Sequence, residues 1–426
     1  MPTTGAIPLG KCSDASSTYS ATQGVTTVVD FSGDSIMAQA LVGIGPLTFA
    51  LDASGSSAYV PHADCTLDTV PISNSLQTKN VQSSTLLTDP DPIPINVLPI
   101  SGGIYVVQKN RTDAIAWMSG TAPPSLKQEI AVAPVPINMT GISAGQRIYA
   151  ISQGNSGTGT QPAWGDCDTP TSVTANGEAD SIEVATNTVS NRIAVGICPV
   201  YGLTSADSKR TFILNRGSGT VTVINSQLNT LDRTISVGAG PVFADLYTTS
   251  NLLVTANYDS GTVSIIDVSL DVYGNDSSTF GNVLKTVQVG THPAAVTILQ
   301  NGSKAYVANK GTICSDTDTS CTQDGTVSVV NLTSFTVDKT ISIGGSPRSI
   351  ASIYNYPTGK VYVSGQTGST SPYLTVIRTD TDVVSTTLQM QGNIVDVHVT
   401  AQYPGSGTTA SQNLQSQSHS MGSGVP

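Results

Sequence analysis

Residues 304–347 read KAYVANKGTICSDTDTSCTQDGTVSVVNLTSFTVDKTISIGGSP, and residues 210–241 read RTFILNRGSGTVTVINSQLNTLDRTISVGAGP. The two stretches align over roughly 30 residues once the segment between Lys310 and Gly325 is looped out, so the chain is built from repeats. Each unit has an apolar strand, a Gly turn, an alternating strand and a closing TIxVG. Apolar residues alternate with polar ones over short runs bounded by turn residues, which is the period of a β-strand; helical spacing does not occur. Units open at Pro46, Pro94, Pro136, Pro199, Pro241, Pro293 and Pro347. That spacing fits a four-stranded propeller blade plus loops of variable length.

The expected fold is therefore all-β, a single β-propeller of four-stranded blades. The ends of the chain suggest how it closes. Residues 392–402 (GNIVDVHVTAQ) read as a first strand with nothing after it, and residues 14–43 read as the last three strands of a unit. One C-terminal strand plus the N-terminal strands would complete an eighth blade and leave no open sheet edge. Eight blades are expected, with seven as the alternative. The propeller then spans 12–403, between an N-terminal extension at 1–11 and a Gly/Ser/Gln-rich tail at 404–426 with the composition of a disordered segment.

Tyr306–Asn309 (YVAN), Gly325–Asn331 (GTVSVVN) and Lys339–Pro347 (KTISIGGSP) together resemble the YVTN-family β-propeller repeat. Phe212–Asn215 with GTVTVIN and Val254–Asn257 with GTVSIID carry related versions, and the early units depart from it with YVPH, YVVQ and YAIS. The resemblance implies a propeller fold and an extracellular or surface setting, and it implies no particular activity.

Composition narrows the setting further. Charged residues are only 11% of the chain and the formal net charge is −11, so the clustered Lys and Arg that a nucleic-acid partner requires are missing. No apolar run is long enough for a transmembrane helix. Six cysteines in a polar, weakly charged chain suit disulfides and an oxidising compartment: secreted, periplasmic or cell-surface. Cys314 with Cys321 would close a local loop, and Cys167 with Cys198 would join an insert to a blade junction. Cys12 with Cys65 is the weakest pairing, because in the eight-blade arrangement Cys12 precedes a strand that starts at the face opposite the Cys65 loop. The first residues lack the basic start and apolar centre of a signal peptide, so an exported protein would be numbered here from after a removed leader.

In a propeller blade the loops joining the second and third strands share a face with the blade-to-blade connections. Three large insertions fall there, Gly154–Asp180, Lys310–Asp324 and Gly365–Pro372, whereas Asp271–Phe280 falls on the opposite face. Variable loops on a rigid scaffold are where recognition is built. Trp164, which with Asp166 and Asp168 forms the motif WGDCD, could stack on a sugar beside those carboxylates, or could pin its loop; Trp117 reads as core. His62 and His292 should lie on the loop-rich face. Asp316, Asp318 and Asp324 could give oxygens to calcium, although the spacing is not that of an EF-hand and turn capping accounts for it equally. No other cofactor is implied. Asn215, Asn257 and Asn309, in phase at the end of second strands, read as turn residues in a left-handed conformation.

The inner strands carry few chemical groups: Asp245, Arg348, Asp396 and His398. These are weak catalytic candidates, and no G-x-S-x-G elbow, phosphate loop or dinucleotide fingerprint accompanies them. The reading leans away from an enzyme, toward an exported or surface binding and scaffold module that recognises a glycan or surface protein on its loop-rich face, as a monomer. Two alternatives stand: a lactonase-like or lyase propeller using the four inner-strand residues, and a self-assembling extracellular structural subunit.

Overall fold

A computed structural model describes residues 12–13, 22–52, 54–72, 81–85, 92–100, 102–109, 113–120, 122–141, 146–247, 251–299, 301–312, 323–353, 359–367, 371–392 and 394–399. Its strands form seven antiparallel sheets of four strands, each in chain order, and one separate two-stranded hairpin. Blade 1 begins at Ala50–Leu51, blade 2 at Ile93–Ile100 and blade 3 at Pro136–Gly141. Blades 4, 5, 6 and 7 begin at Pro199–Thr204, Pro241–Tyr247, Pro293–Ile298 and Ile350–Ile353.

This corrects the expected eight blades to seven. The N-terminal residues supply two strands, Gln23–Asp30 and Ser35–Ile44, which pair only with each other. At the other end, residues 394–399 form no strand. The Val397 amide donates to the Ser349 hydroxyl (3.2 Å) and to the carboxylate of Asp396 (2.9 Å) in place of a ladder partner. A blade needs four mutually bonded strands, and the described ends of the chain do not provide them. The extension at 1–11 and the tail at 404–426 lie outside the described residues.

Contacts divide the chain into two compact units: the first holds the hairpin and blades 1 to 3, the second holds blades 5 to 7 and residues 214–223. In the second unit, the third strands Thr262–Asp267 and Thr326–Asn331 are buried on both faces except at their ends. The fourth strands Val283–Gln288 and Thr336–Ser342 are mostly exposed. The sequence follows this gradient: TVSIID and TVSVVN carry β-branched residues at four of six positions, and each fully buried Val or Ile contributes about 1.5–3 kcal/mol. In the first unit, Ile95, Tyr105, Ile115, Met139, Tyr149 and Ile182 belong to one large buried cluster.

The in-phase asparagines explain why the repeat ends as it does. None of Asn215, Asn257 and Asn309 has a positive φ; all three are buried strand residues, which corrects the turn reading. Their side-chain amides donate to two hydroxyls on the third strand. Asn257 reaches Thr262 and Ser264 at 3.0 Å each, Asn309 reaches Thr326 at 3.1 Å and Ser328 at 3.0 Å, and Asn215 reaches Thr220 at 3.1 Å and Thr222 at 2.9 Å. The Gly of the preceding TIxVG lies against this side chain. A Cβ on Gly238 would stand 2.5 Å from Asn257 Nδ2, and one on Gly290 would stand 2.7 Å from Asn309 Cγ. The amide of Gly238 also donates to Ser264 Oγ at 3.2 Å.

The first unit makes the same junction with ionisable residues. The Gly43 amide donates to Asp68 at 2.9 Å, and the Ala133 amide donates to Asp180 at 2.5 Å. His62 occupies the position of the asparagine, with Nδ1 3.1 Å from Thr66 Oγ1 and Nε2 3.8 Å from Asp68.

Replacing Asn309 by Ala should cost about 1–3 kcal/mol, because it leaves buried hydroxyls without their donor. Asn309→Asp, which keeps the shape but removes the donor and buries a carboxylate, should cost more. Urea unfolding midpoints compare the two; equal stability of N309D and wild type would contradict this account of the junction.

Candidate functional site

Of the Gly154–Asp180 insertion, residues 154–175 are a built loop between the second and third strands of blade 3, and residues 176–180 already belong to the third strand Asn176–Glu183. Asn155 donates its amide to Gln161 Oε1 at 2.8 Å, and Ala163 donates to Asp166 at 2.8 Å. Two short 3-10 turns follow, Asp166–Asp168 and Pro170–Ser172. A disulfide joins Cys167, at the centre of the first turn, to Cys198, directly before blade 4. Trp164 packs on the hydrophobic core of the unit, and its indole nitrogen is buried. The indole thus faces inward and holds the loop down, with Asp166 exposed beside it. Asp168 acts electrostatically on Lys109, whose ammonium burial pushes to lower pKa. Trp117 also packs against the core. The Gly365–Pro372 insertion is largely strand, since Lys360–Thr367 and Ser371–Arg378 pair along this stretch.

A second disulfide joins Cys12 to Cys65, the pairing that the sequence ranks lowest. The register gives the reason. Gln23 pairs with Ile44, whose amide is held by Asp64 at 2.8 Å, so the hairpin starts at the end of blade 1 where the Cys65 turn lies. Cys314, Cys321, Asp316 and Asp318 lie outside the described residues. Asp324 accepts the Thr312 amide at 2.6 Å, which holds its carboxyl below the usual range. Among the described residues no group of three His, Cys, Asp or Glu side chains could hold a metal.

Of the four inner-strand candidates, Asp396 and His398 stand together, and Asp245 is engaged with the backbone of its own and the neighbouring inner strand. Asp245 accepts amides from Leu246 (2.9 Å) and from Ile298 in the neighbouring first strand (2.7 Å). Asp396 accepts the Ser349 hydroxyl at 2.9 Å and lies 3.0 Å from His398 Nε2. The carboxylate therefore stands between hydroxyl and imidazole. In a nucleophilic triad the base touches the hydroxyl and the carboxylate touches the base, an order that this trio does not have. His62 is wholly buried in the blade 1 junction, where burial lowers its imidazole pKa against the opposing pull of Asp68 and Asp64.

His292 and Arg348 instead belong to a group of residues that the sequence reading does not single out. It is built on the residue that follows the asparagine in three blades: Arg216, Tyr258 and Lys310. Arg216 and Lys310 are each 6% exposed and Tyr258 is 3% exposed. The Arg216 guanidinium carbon lies 5.4 Å from the centre of the Tyr258 ring and the Lys310 ammonium 5.8 Å from it. The His292 ring centre stands 4.7 Å from that of Tyr258, and His292 Nδ1 lies 3.0 Å from the carbonyl of Gly311. Asp259, on the solvent side, binds Arg216 at 3.1 Å. Burial, then Arg348 and Arg216, push the Lys310 pKa down to about 7. A cavity of about 400 Å³ adjoins, lined by Thr291, Gly311, Asp324 and Thr326 among others. The available signal was the dipeptide series Asn-Arg, Asn-Tyr, Asn-Lys at one repeat position.

Residues 242–371 match the model of the choice-of-anchor I domain. No curated protein matches the chain. Among solved structures, the dihydro-heme d1 dehydrogenase NirN in complex with DHE is similar with a TM-score of 0.59 at 12% identity, covering 86% of this chain and 71% of that one. Apo AztD from Citrobacter koseri is similar with a TM-score of 0.57 at 11% identity, covering 87% of this chain and 92% of that one. At such identities the likeness shows the β-propeller fold alone.

Two predictions follow from the buried groups of blade 3. Burial raises the Asp180 carboxyl to about 7, against the opposing pull of the Ala133 amide and Arg192. A carboxyl whose folded pKa lies above its unfolded value gives stability at low pH that is lost as pH rises through this range. Asp180→Asn, which can still accept the Ala133 amide, should flatten the fall in urea midpoint between pH 5 and pH 8 and be the more stable protein at pH 8. Separately, the C167A/C198A double variant should be cut by protease within 154–175 at least about tenfold faster than wild type, as a loop opened locally without global unfolding. Unchanged cleavage would show that Trp164 and Gln161 hold the loop unaided.

Proposed function

We propose that this chain is an exported or cell-surface propeller that works as a binding and scaffold module and presents the connections between second and third strands to its partner. The observation that carries this reading is the insert of blade 3. A long loop is held in one conformation by the Cys167–Cys198 disulfide and by the packing of Trp164, and preorganised loops on a rigid scaffold bind with less loss of conformational freedom.

Two further findings support the setting. Disulfides form and persist in oxidising compartments, and two are present among the described residues. The domain model matched over residues 242–371 is, by its name, that of an anchored domain, and the YVTN-like repeats point the same way. Among the described residues no helix is long and apolar enough to cross a membrane.

The partner class that suits this surface is a glycan or another surface protein. In intact cells of the native host, the protein should be labelled by a membrane-impermeant biotin reagent. The purified protein should bind a glycan or surface-protein panel, and replacing residues 155–174 by a short Gly-Ser turn should remove that binding while leaving thermal unfolding cooperative. Labelling only after cell lysis, or full binding by the loop-replaced variant, would overturn the reading.

A further inference from the structure

The junction between blades 5 and 6 departs from the one before it. At that preceding junction the Gly238 amide donates to Ser264 Oγ at 3.2 Å. Ser260 fills the space beside it, its hydroxyl 3.3 Å from the Ala239 carbonyl and 2.8 Å from Thr262 Oγ1, and a Cβ on Gly238 would stand 2.8 Å from Ser260 Oγ. Blade 5 turns through Asp259-Ser260-Gly261-Thr262, whereas the same place in blade 6 reads Gln323-Asp324-Gly325-Thr326, at the end of the Lys310–Asp324 insertion. Asp324 thus takes the position of the serine in the turn, and its carboxylate folds back on the Thr312 amide at 2.6 Å. Gly290 is the counterpart of Gly238, and Ser328, held by Asn309, is the counterpart of Ser264. Among the described residues nothing accepts the Gly290 amide.

Space opens where this clamp is not made. Gly290 and Ser328 both line the cavity of about 400 Å³, a volume within the range of small-ligand pockets, about 300–1,000 Å³. Ser328 is its buried part, and Gln288 and Thr340 are exposed residues of its lining. Ser328 Oγ and Thr326 Oγ1 accept from the Asn309 amide at 3.0 and 3.1 Å, so their own hydrogens remain to be donated. The Thr340 side chain makes no hydrogen bond among the described residues. Gln288 spends its amide nitrogen on the Gly261 carbonyl (2.8 Å), which leaves Oε1 as an acceptor. Val289 and Val337 supply apolar wall, and Asp324 is the one ionisable side chain among the described lining residues. A polar group that faces a cavity is satisfied by what enters the cavity.

Amide and hydroxyl donors beside a carbonyl acceptor, with little charge, match a ligand whose own groups both donate and accept. We propose that this cavity binds one uncharged sugar residue of a glycan. The Gly290 amide and the Ser328 and Thr340 hydroxyls donate, Gln288 Oε1 accepts, and the two valines lie against the C–H face of the sugar ring. An anion would meet the Asp324 carboxylate, and a cation would find that carboxylate already engaged by Thr312. The site lies on blades 5 and 6 at the base of an insertion, so it deepens the binding-module reading and rests on it for its biological glycan, whereas the capacity to take a sugar belongs to these residues alone.

The test titrates the isotopically labelled full chain separately with glucose, galactose, mannose and N-acetylglucosamine, and reads the amide resonance of Gly290 and the saturation transferred to the sugar protons. The expected result is that at least one sugar shifts the Gly290 resonance. Thr340→Phe, which fills the mouth of the cavity, should lose affinity at least about tenfold, and Thr340→Val, which removes only the hydroxyl, about threefold. Both variants should melt with wild type, because Thr340 is exposed. No shift with any of the four sugars, or an undiminished response in both variants, would overturn the proposal. A larger shift with sodium phosphate or tetramethylammonium chloride than with any sugar would overturn it too, in favour of a charged ligand. The sugar response should persist when residues 155–174 are replaced; its loss there, with melting unchanged, would place the sugar on the blade 3 loop and overturn this site while leaving the binding-module reading. Full partner binding by the loop-replaced variant, with the sugar response intact, would overturn the blade 3 reading and leave this site standing.

Discussion

The fold depends on how one blade is attached to the next. A fourth strand, or the second strand of the N-terminal hairpin, ends with a backbone amide directed at its neighbour, and that amide must find an acceptor inside the following sheet, since a buried N–H without one costs as much as a lost hydrogen bond. Ser264 accepts it from Gly238, Asp68 from Gly43 and Asp180 from Ala133. The acceptor is in turn held by the residue closing the second strand, such as Asn257 with Ser264 or His62 with Asp68. The closing TIxVG of the repeat is a steric consequence. At Gly238 and Gly290 any side chain would run into the asparagine of the next blade.

This requirement accounts for most of the ionisable residues that look chemically interesting in the sequence. His62, Asp68 and Asp180 occupy junction positions that Asn and Ser fill elsewhere, so the shifted pKa values of His62 and Asp180 express burial in a junction. Asp245 ties adjacent first strands together through the Ile298 amide. Asp396 draws residues 394–399 onto Ser349. Once these roles are assigned, the chemistry left over stands one residue further along the repeat, where Arg216, Tyr258 and Lys310 have no part in the Asn clamp.

The propeller architecture was legible because strand periodicity and the spacing of Pro and TIxVG are local properties. The number of blades was not. GNIVDVHVTAQ has the alternation of an inner strand, yet alternation says nothing about whether a partner edge is available. In the folded chain the buried carboxylate of Asp396 binds the Ser349 hydroxyl, and the segment forms no ladder. The same limit applied to Cys12, whose pairing with Cys65 turned on the end at which the first described strand begins. For the asparagines, phase in the repeat revealed that they matter, but only the coordinates distinguished a left-handed turn from a buried donor, because Asn is well suited to both.

Sequence alone therefore determined the repeat, the all-β class, the low charge and the cysteine content, each of which depends on composition or on neighbours a few positions apart. Tertiary structure decided the seven blades, the two disulfides among the described residues, the inward turn of Trp164 and the gathering of Arg216, Lys310 and His292 about Tyr258. These residues are separated by tens of positions in the chain, and only the stacking of one twisted sheet against the next sets which of them meet.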